Sequence, residues 1–227
     1  MDAVVAESRR SIAQGSKSFG AAAALFPREL REDVWQLYAW CRHCDDEIDG
    51  QDHGHTLTVL SPEEREARLA RLRDLTRRAL ANEPMEAPAF IAFQRVALRH
   101  QLDPAWPQEL LDGFAKDVDG ERFETLEDTL SYCWGVAGVV GVMMAQIMGA
   151  RDLAVLRRAQ DLGLAFQLTN ISRDIVEDAK GGRVYLPAEA LRRSGLEPEP
   201  ELLAGPSAWP GAFQVASELL DLAEAYY

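Results

Sequence analysis

The sequence predicts an all-α protein, and three observations carry that reading. Apolar residues recur at three- and four-residue spacing along most of the chain, no convincing run alternates β-branched residues, and several segments start or stop at recognisable helix caps. Its 227 residues, 47% of them hydrophobic, suit one helical domain over 1–227, since no long linker divides them.

The elements follow in order. Pro27 opens a helix whose apolar positions Leu30, Val34, Leu37, Tyr38 and Cys41 keep helical spacing and run into Asp45-Asp46-Glu47-Ile48-Asp49. Gly50 and a Gly/His/Thr-rich stretch to Ser61 end it. Ser61-Pro62-Glu63-Glu64 reads as an N-cap, a first-turn proline and first-turn acids, starting a helix to about Ala81 whose Arg68, Arg71, Arg73, Arg77 and Arg78 form a solvated face. Further helices are expected at about 87–100, 106–116 and 126–148. The last should be interrupted or tightly packed at Gly135, Gly138 and Gly141, because glycine is costly inside a helix unless backbones approach closely there. A long helix over 153–178 follows, stopped by Gly181-Gly182. Residues 195–211 read as a loop, and a final helix starts near Ala212 and is still running at Tyr227.

Composition narrows the function. With 24 basic against 37 acidic residues the formal charge is −13, which argues against nucleic-acid binding and gives no help toward an anionic membrane. Residues 1–14 lack the apolar core of a signal peptide. The richest apolar window, 136–148, reads as a buried helix, too short to span a bilayer. An odd cysteine count, Cys41, Cys44 and Cys133, fits a reducing compartment, and Cys41-Arg42-His43-Cys44 lacks the second pair that a zinc site needs. The expectation is a cytoplasmic protein.

Two acid-rich stretches carry the chemistry. On a helix, Tyr38, Arg42, Asp45 and Asp49 share one stripe, and Gln167, Asn170, Asp174 and Asp178 share another. Carboxylates four residues apart repel each other, so a cation should sit between them. If the stripes face each other, hard divalent ions holding an anionic substrate are the natural guests. Ser16 and Lys17 lie upstream of the first stripe, and Arg173 and Lys180-Gly181-Gly182-Arg183 surround the second, so an anion finds basic contacts at both ends. Phe19, the alanines Ala21, Ala22, Ala23 and Ala24, Leu25, Phe26 and the small-residue helix over 136–148 offer an apolar lining with room for a long linear chain. A metal rim beside a dry apolar pocket suits ionisation of an allylic diphosphate.

Six ordered motifs now carry a family resemblance. Ser16-Lys17-Ser18-Phe19, Leu37-Tyr38-Ala39-Trp40-Cys41-Arg42, Asp45-Asp46-Glu47-Ile48-Asp49, Tyr132-Cys133-Trp134-Gly135-Val136-Ala137-Gly138, Phe166-Gln167-Leu168-Thr169-Asn170-Ile171-Ser172-Arg173-Asp174 and Gly182-Arg183-Val184-Tyr185-Leu186-Pro187 together resemble the squalene and phytoene synthase family, most closely its bacterial phytoene-forming members. The resemblance implies the all-helical isoprenoid-synthase (class I terpenoid synthase) bundle around a central cavity. It also implies head-to-head condensation of two geranylgeranyl diphosphates to phytoene through prephytoene diphosphate, as a step of carotenoid biosynthesis. NADPH is not expected to take part.

Carried over by position, the resemblance implies that Asp45, Asp49, Asp174 and Asp178 hold a cluster of magnesium ions, with manganese a substitute, and that Asn170 adds a ligand. Asp46 and Glu47 would stand behind them. Ser16, Lys17, Tyr38, Arg42 and Arg173 are expected at the diphosphate, Gln167 at the pocket wall, and Tyr132 beside the reacting carbons. Transient docking on the inner membrane face and contact with neighbouring carotenoid enzymes are expected from so greasy a substrate and product. Two departures stand out: Gly15 replaces a histidine of some relatives, and the family's further C-terminal helices, which close the cavity, do not follow Tyr227. The chain is therefore expected to be C-terminally incomplete. The alternatives are squalene or dehydrosqualene synthesis from farnesyl diphosphate, or an inactive truncated helical homologue; a chain-elongating synthase or terpene cyclase would share the Asp45-Asp46-x-x-Asp49 pattern without needing the Tyr132 and Gly182 motifs.

Overall fold

The computed structural model describes residues 2–227 apart from 53, 54, 57 and 59, with only the backbone of Asp52, His55 and Thr56. Helix α1 (Ala3–Gly15) was not foreseen; two of the positions it buries are serines, Ser8 and Ser11, which blur the apolar period. Ser16 ends α1 and caps α2 (Lys17–Ala23), accepting the Phe19 N–H at 3.2 Å. Helix α3 (Arg28–Asp49) starts behind Pro27 and ends at Gly50, whose φ of 65° suits glycine. The stretch expected as a loop beyond Gly50 falls partly outside the described residues. Its described backbone pairs β1 (Gln51–Asp52) antiparallel with β2 (His55–Thr56).

Helix α4 (Pro62–Leu80) carries the foreseen N-cap at Ser61, completed into a capping box by Glu64, the two side chains bonding each other's backbone. Then come α5 (Pro88–His100) and α6 (Ala105–Asp119). The next helical run is α7 (Leu126–Cys133), a π-turn over Trp134–Gly138, and α8 (Val139–Ile147). This run is longer than the sequence window suggested: Leu126–Ile147 is long and apolar enough to cross a membrane by length and composition. Half of its apolar window is nevertheless buried inside the bundle, where it packs against α6 and α9 (Leu153–Arg173).

The glycines of this run are the sites of close backbone approach that were expected, but not the source of room for a substrate chain. A Cβ on Gly135 would lie 2.9 Å from the Gly113 Cα, and one on Gly163 would lie 2.5 Å from the Ala137 carbonyl oxygen. A Cβ on Gly141 would collide with the Ala159 carbonyl. The space is filled by the backbones of α6 and α9, so these residues supply close helix packing and leave no room there for a substrate chain.

The helix expected over 153–178 breaks at Asp174, which takes φ −101° and ψ 14°, and resumes as α10 (Ile175–Lys180). The proposed loop after Gly195 contains α12 (Pro200–Leu203) and a 3₁₀ turn at Pro206–Ala208, preceded by α11 (Ala188–Arg193) and followed by α13 (Trp209–Tyr226). Two apolar clusters result. One gathers Ile12, Leu37, Trp40, Ile48, Phe90, Phe93, Leu111 and Met143 from the N-terminal helices. The other gathers Tyr132, Leu168, Ile171, Leu186, Leu191 and Leu219 from the C-terminal ones, and Trp134 and Val136 pack against both. The end of α3 belongs to the first cluster and the end of α9 to the second, so the two acidic stripes meet where the halves join.

Candidate active site

The apolar face of α3 fixes what its polar face can offer. Leu37, Trp40, Cys44 and Ile48 are buried in the first cluster, which turns Tyr38, Arg42, Asp45 and Asp49 toward the seam. Arg42 donates to Asp45 at 2.8 Å and lies 3.7 Å from Asp46. A Cβ on Gly15 would collide with the Tyr38 hydroxyl and lie 3.3 Å from Arg42 Nε, so the glycine is what lets both side chains approach the junction of α1 and α2. The Tyr38 hydroxyl is shielded from solvent with no hydrogen-bond partner within bonding geometry among the described residues. Ser16 spends one lone pair on its cap and also lies 3.3 Å from the Ser18 hydroxyl, while Lys17 is exposed.

The opposite wall comes from α9 and α10. Arg173 grips Asp174 at 2.7 and 2.5 Å, and the Asn170 amide donates to Gln167 at 3.4 Å. Phe19 of α2 meets Tyr38 at 6.4 Å and Phe166 at 6.1 Å between ring centroids, both edge-on, which ties the Ser16 segment to α9.

Three residues join the walls: Arg183, expected only among the basic contacts around the second stripe, and Tyr185 and Asp117, for which no role was expected. After α10 the chain reverses at Gly182, with φ 78° and the Arg183 N–H bonded to the Asp178 carbonyl at 2.9 Å. This turn sends Arg183 back to α3, where it donates twice to Asp49, the longer bond being 3.3 Å. The following segment is pinned by Thr129, which donates to the Tyr185 carbonyl at 3.0 Å, and by the Ala188 N–H bonded to the Phe123 carbonyl at 2.9 Å. Tyr185 is thereby stacked on Tyr132, centroids 4.7 Å apart, and both phenols donate to one carboxylate, Asp117 at the end of α6, at 2.6 and 3.0 Å. Arg183 and Tyr185 stood inside a quoted motif, but Asp117, between Lys116 and Val118, carries no signal of its own.

Electrostatics confirm that the groups share one field. Burial foremost, then the nearby Asp49 carboxylate, pushes Asp45 up to about 7 against the pull of Arg42. Burial, then Asp174, pushes Asp178 up to about 7 as well, with Arg183 opposing and Asp117 adding to the repulsion. Asp117 is raised by burial, although Arg183 and the two phenols favour its charge. Burial and the Asp117 carboxylate hold the hydroxyls of Tyr132 and Tyr185 well above the usual phenol range, so both remain donors at neutral pH. Asp117 thus lies in the field of Asp45 and Asp49 on one wall and of Asp178 on the other. Gln167 and Asn170 bond each other on α9, one turn before Asp174, and Asp46 is buried.

Among the described residues no three carboxylate, thiolate or imidazole groups are gathered into a ready-made ion site. Asp45, Asp49 and Asp174 are instead each engaged by an arginine.

A helical bundle with paired aspartates on two facing helices defines an isoprenoid synthase, and comparisons with known proteins agree. The squalene/phytoene synthase family model matches residues 12–227, and the chain belongs to that family. It is 54% identical over 218 residues to a phytoene synthase of Pseudescherichia vulneris, covering 96% of this chain and 70% of that one. It is also 54% identical over 213 residues to a 15-cis-phytoene synthase of Enterobacter agglomerans, covering 94% and 71%. Among solved structures, a ligand-bound dehydrosqualene synthase superposes with a TM-score of 0.78 at 28% identity, covering 98% of this chain and 76% of that one.

Proposed function

We propose that the protein is a phytoene synthase, a prenyltransferase joining two geranylgeranyl diphosphates head to head. The observation that carries the reading is the seam itself. Aspartates of α3 and of the α9–α10 junction are coupled through Arg183 and Asp117, beside two stacked tyrosines and the guanidiniums of Arg42 and Arg173.

The donor set suits a hard divalent cation. Asp45, Asp49, Asp174 and Asp178 offer only carboxylate oxygens, Asn170 adds an amide oxygen, and burial with mutual repulsion leaves Asp45 and Asp178 raised despite three nearby arginines. These residues would hold magnesium, which neutralises the diphosphate as it departs.

The chain's own groups supply the rest. Arg42, Arg173 and Arg183, with Lys17 and the hydroxyls of Ser16 and Tyr38, bind the diphosphate oxygens, so that the allylic C–O bond of one substrate breaks with its electron pair on the leaving group. The double bond of the second substrate attacks the cation and, with loss of a proton, closes the cyclopropane of prephytoene diphosphate. A second ionisation, rearrangement and proton loss give phytoene, with no reductant consumed. Tyr132 and Tyr185, held by Asp117, present ring faces that steady the cations, and their raised hydroxyls stay protonated. Gln167 lines the wall beside Asn170. The protein would work in the cytoplasm, meeting the membrane face and its pathway neighbours transiently.

Incubating the chain with geranylgeranyl diphosphate and magnesium, without NADPH, tests this. Phytoene in the hydrocarbon extract, absent with Asp45→Asn and Asp174→Asn, is the expected result. A C30 hydrocarbon formed from farnesyl diphosphate in preference would move the assignment to dehydrosqualene synthesis.

A further inference from the structure

A cavity of about 510 Å³ opens between α1, α2 and the first half of α3, lined by Arg9, Ile12, Ser16, Lys17, Arg31 and Trp35 among others. Its lining includes none of Tyr38, Arg42 or the four aspartates of the seam, and it shares with the proposed diphosphate contacts only Ser16 and Lys17. The cations in it are unusual for this chain. Acids outnumber bases 37 to 24, yet Arg9, Lys17 and Arg31 have neither an ion pair nor a hydrogen bond among the described residues. No acid lies three or four residues from any of them. The acids next to Arg31 are already engaged, Glu32 by Arg28 at 2.8 Å and Asp33 by Arg99 at 2.6 Å and His100 at 2.8 Å.

The two arginines are held by one aromatic ring. The Arg9 and Arg31 guanidinium carbons lie 5.7 and 5.5 Å from the centroid of Trp35, so two like charges share the same indole. Arg31 Nε is in addition shielded from solvent with no acceptor. A buried donor without a partner, two uncompensated guanidiniums and an ammonium, all around one cavity, form a receptor for an acceptor-rich anion.

We infer that this cavity is a second anion site, taking a phosphate group apart from the carboxylate seam. The two guanidiniums on Trp35 match a phosphate monoester or diester, whose oxygens only accept, while Lys17 and Ser16, assigned above to the diphosphate, border this site without being needed for it. Ile12, Ala13, Ala24 and the Trp35 ring supply an apolar flank for the organic part of such an ester. Leu25, 86% exposed in the turn after α2, lies next to that flank in the chain. The phosphate could come from a soluble ester or from a lipid headgroup, and the inference does not depend on the prenyl diphosphate reading.

Titrating the metal-free chain with inorganic phosphate while following indole fluorescence tests the first source, with Trp35→Phe identifying the responding ring among the five tryptophans. Flotation with phosphatidylcholine vesicles containing phosphatidylglycerol, against pure phosphatidylcholine, tests the second. A saturable response to either probe that weakens at least tenfold in Arg9→Gln and in Arg31→Gln is expected; phosphate alone would assign a soluble ester, and vesicles alone a lipid headgroup. Binding unchanged in both variants, or no binding of either probe by the parent, would overturn the inference. If Arg31→Gln fails to fold, Arg9→Gln, which alters an exposed residue, decides the matter alone.

Discussion

Replacing Arg183 with methionine tests how the seam is held together. The Arg183 and Asp49 side chains are 24% and 17% exposed, so the pair is largely removed from water. Deleting one partner of a buried pair costs about 3–5 kcal/mol, because the remaining charge is left uncompensated. Here Asp49 would remain beside Asp45 and Asp117, but the pair keeps some contact with water, which places the cost at the lower end, about 3 kcal/mol. For a domain of this size each kcal/mol moves the midpoint by about 2–4 °C, so a fall of about 6–12 °C is expected in a metal-free thermal melt followed by circular dichroism. Millimolar magnesium should restore part of the loss, since a cation bound only by the folded state stabilises it by mass action. An unchanged midpoint, or a loss of the same size with and without magnesium, would refute the idea that Arg183 serves as the resident counter-charge of the carboxylates.

Three other outcomes follow from the same structure. Asp45 and Asp178 are raised to about 7 in the fold, so their favourable contribution is complete below the unfolded carboxylate value near 4 and is lost as pH rises through about 7. The metal-free midpoint should therefore fall between pH 6 and pH 8, and saturating magnesium should flatten that slope; a midpoint rising with pH would contradict the assignment. Gly163→Ala should destabilise by about 1–2 kcal/mol in urea denaturation despite alanine's better helix propensity, because the new methyl meets the Ala137 carbonyl backbone, and a stabilised variant would show that the two helices can part freely. Ala23, 1% exposed within the first cluster, is the alanine to enlarge, whereas Ala24 lines the outer cavity. Ala23→Phe should shift competition between geranylgeranyl and farnesyl diphosphates toward the shorter chain, and an unchanged product ratio in a folded variant would remove the alanine from chain-length selection.

How much of this was legible in the sequence depended on whether a signal was local. Helix α3 was readable because Pro27, the apolar spacing and Gly50 all act within a turn or two, and the capping box of α4 is a contact within four residues. The two stripes were readable for the same reason. Asp117 was not, because the phenols that give it meaning come from residues 15 and 68 positions away. Gly135, Gly138 and Gly141 were correctly read as sites of close approach, but the room expected at Gly138 and Gly141 is filled by neighbouring groups of the bundle, since a missing side chain looks the same whether a substrate or another helix fills the space. The break at Asp174 was hidden too: the Asp178 N–H still bonds the Asp174 carbonyl at 2.8 Å, so the helical period runs on across the kink.

The central claim is that carboxylates on both walls act as one site for metal and diphosphate. Calorimetric titration of inorganic diphosphate into the chain, with and without magnesium, addresses it directly when repeated on Asp49→Asn and Asp178→Asn, one residue from each wall. The account predicts binding that requires magnesium and weakens at least tenfold when either wall is neutralised. Magnesium-independent binding, or full affinity with one wall neutralised, would contradict it.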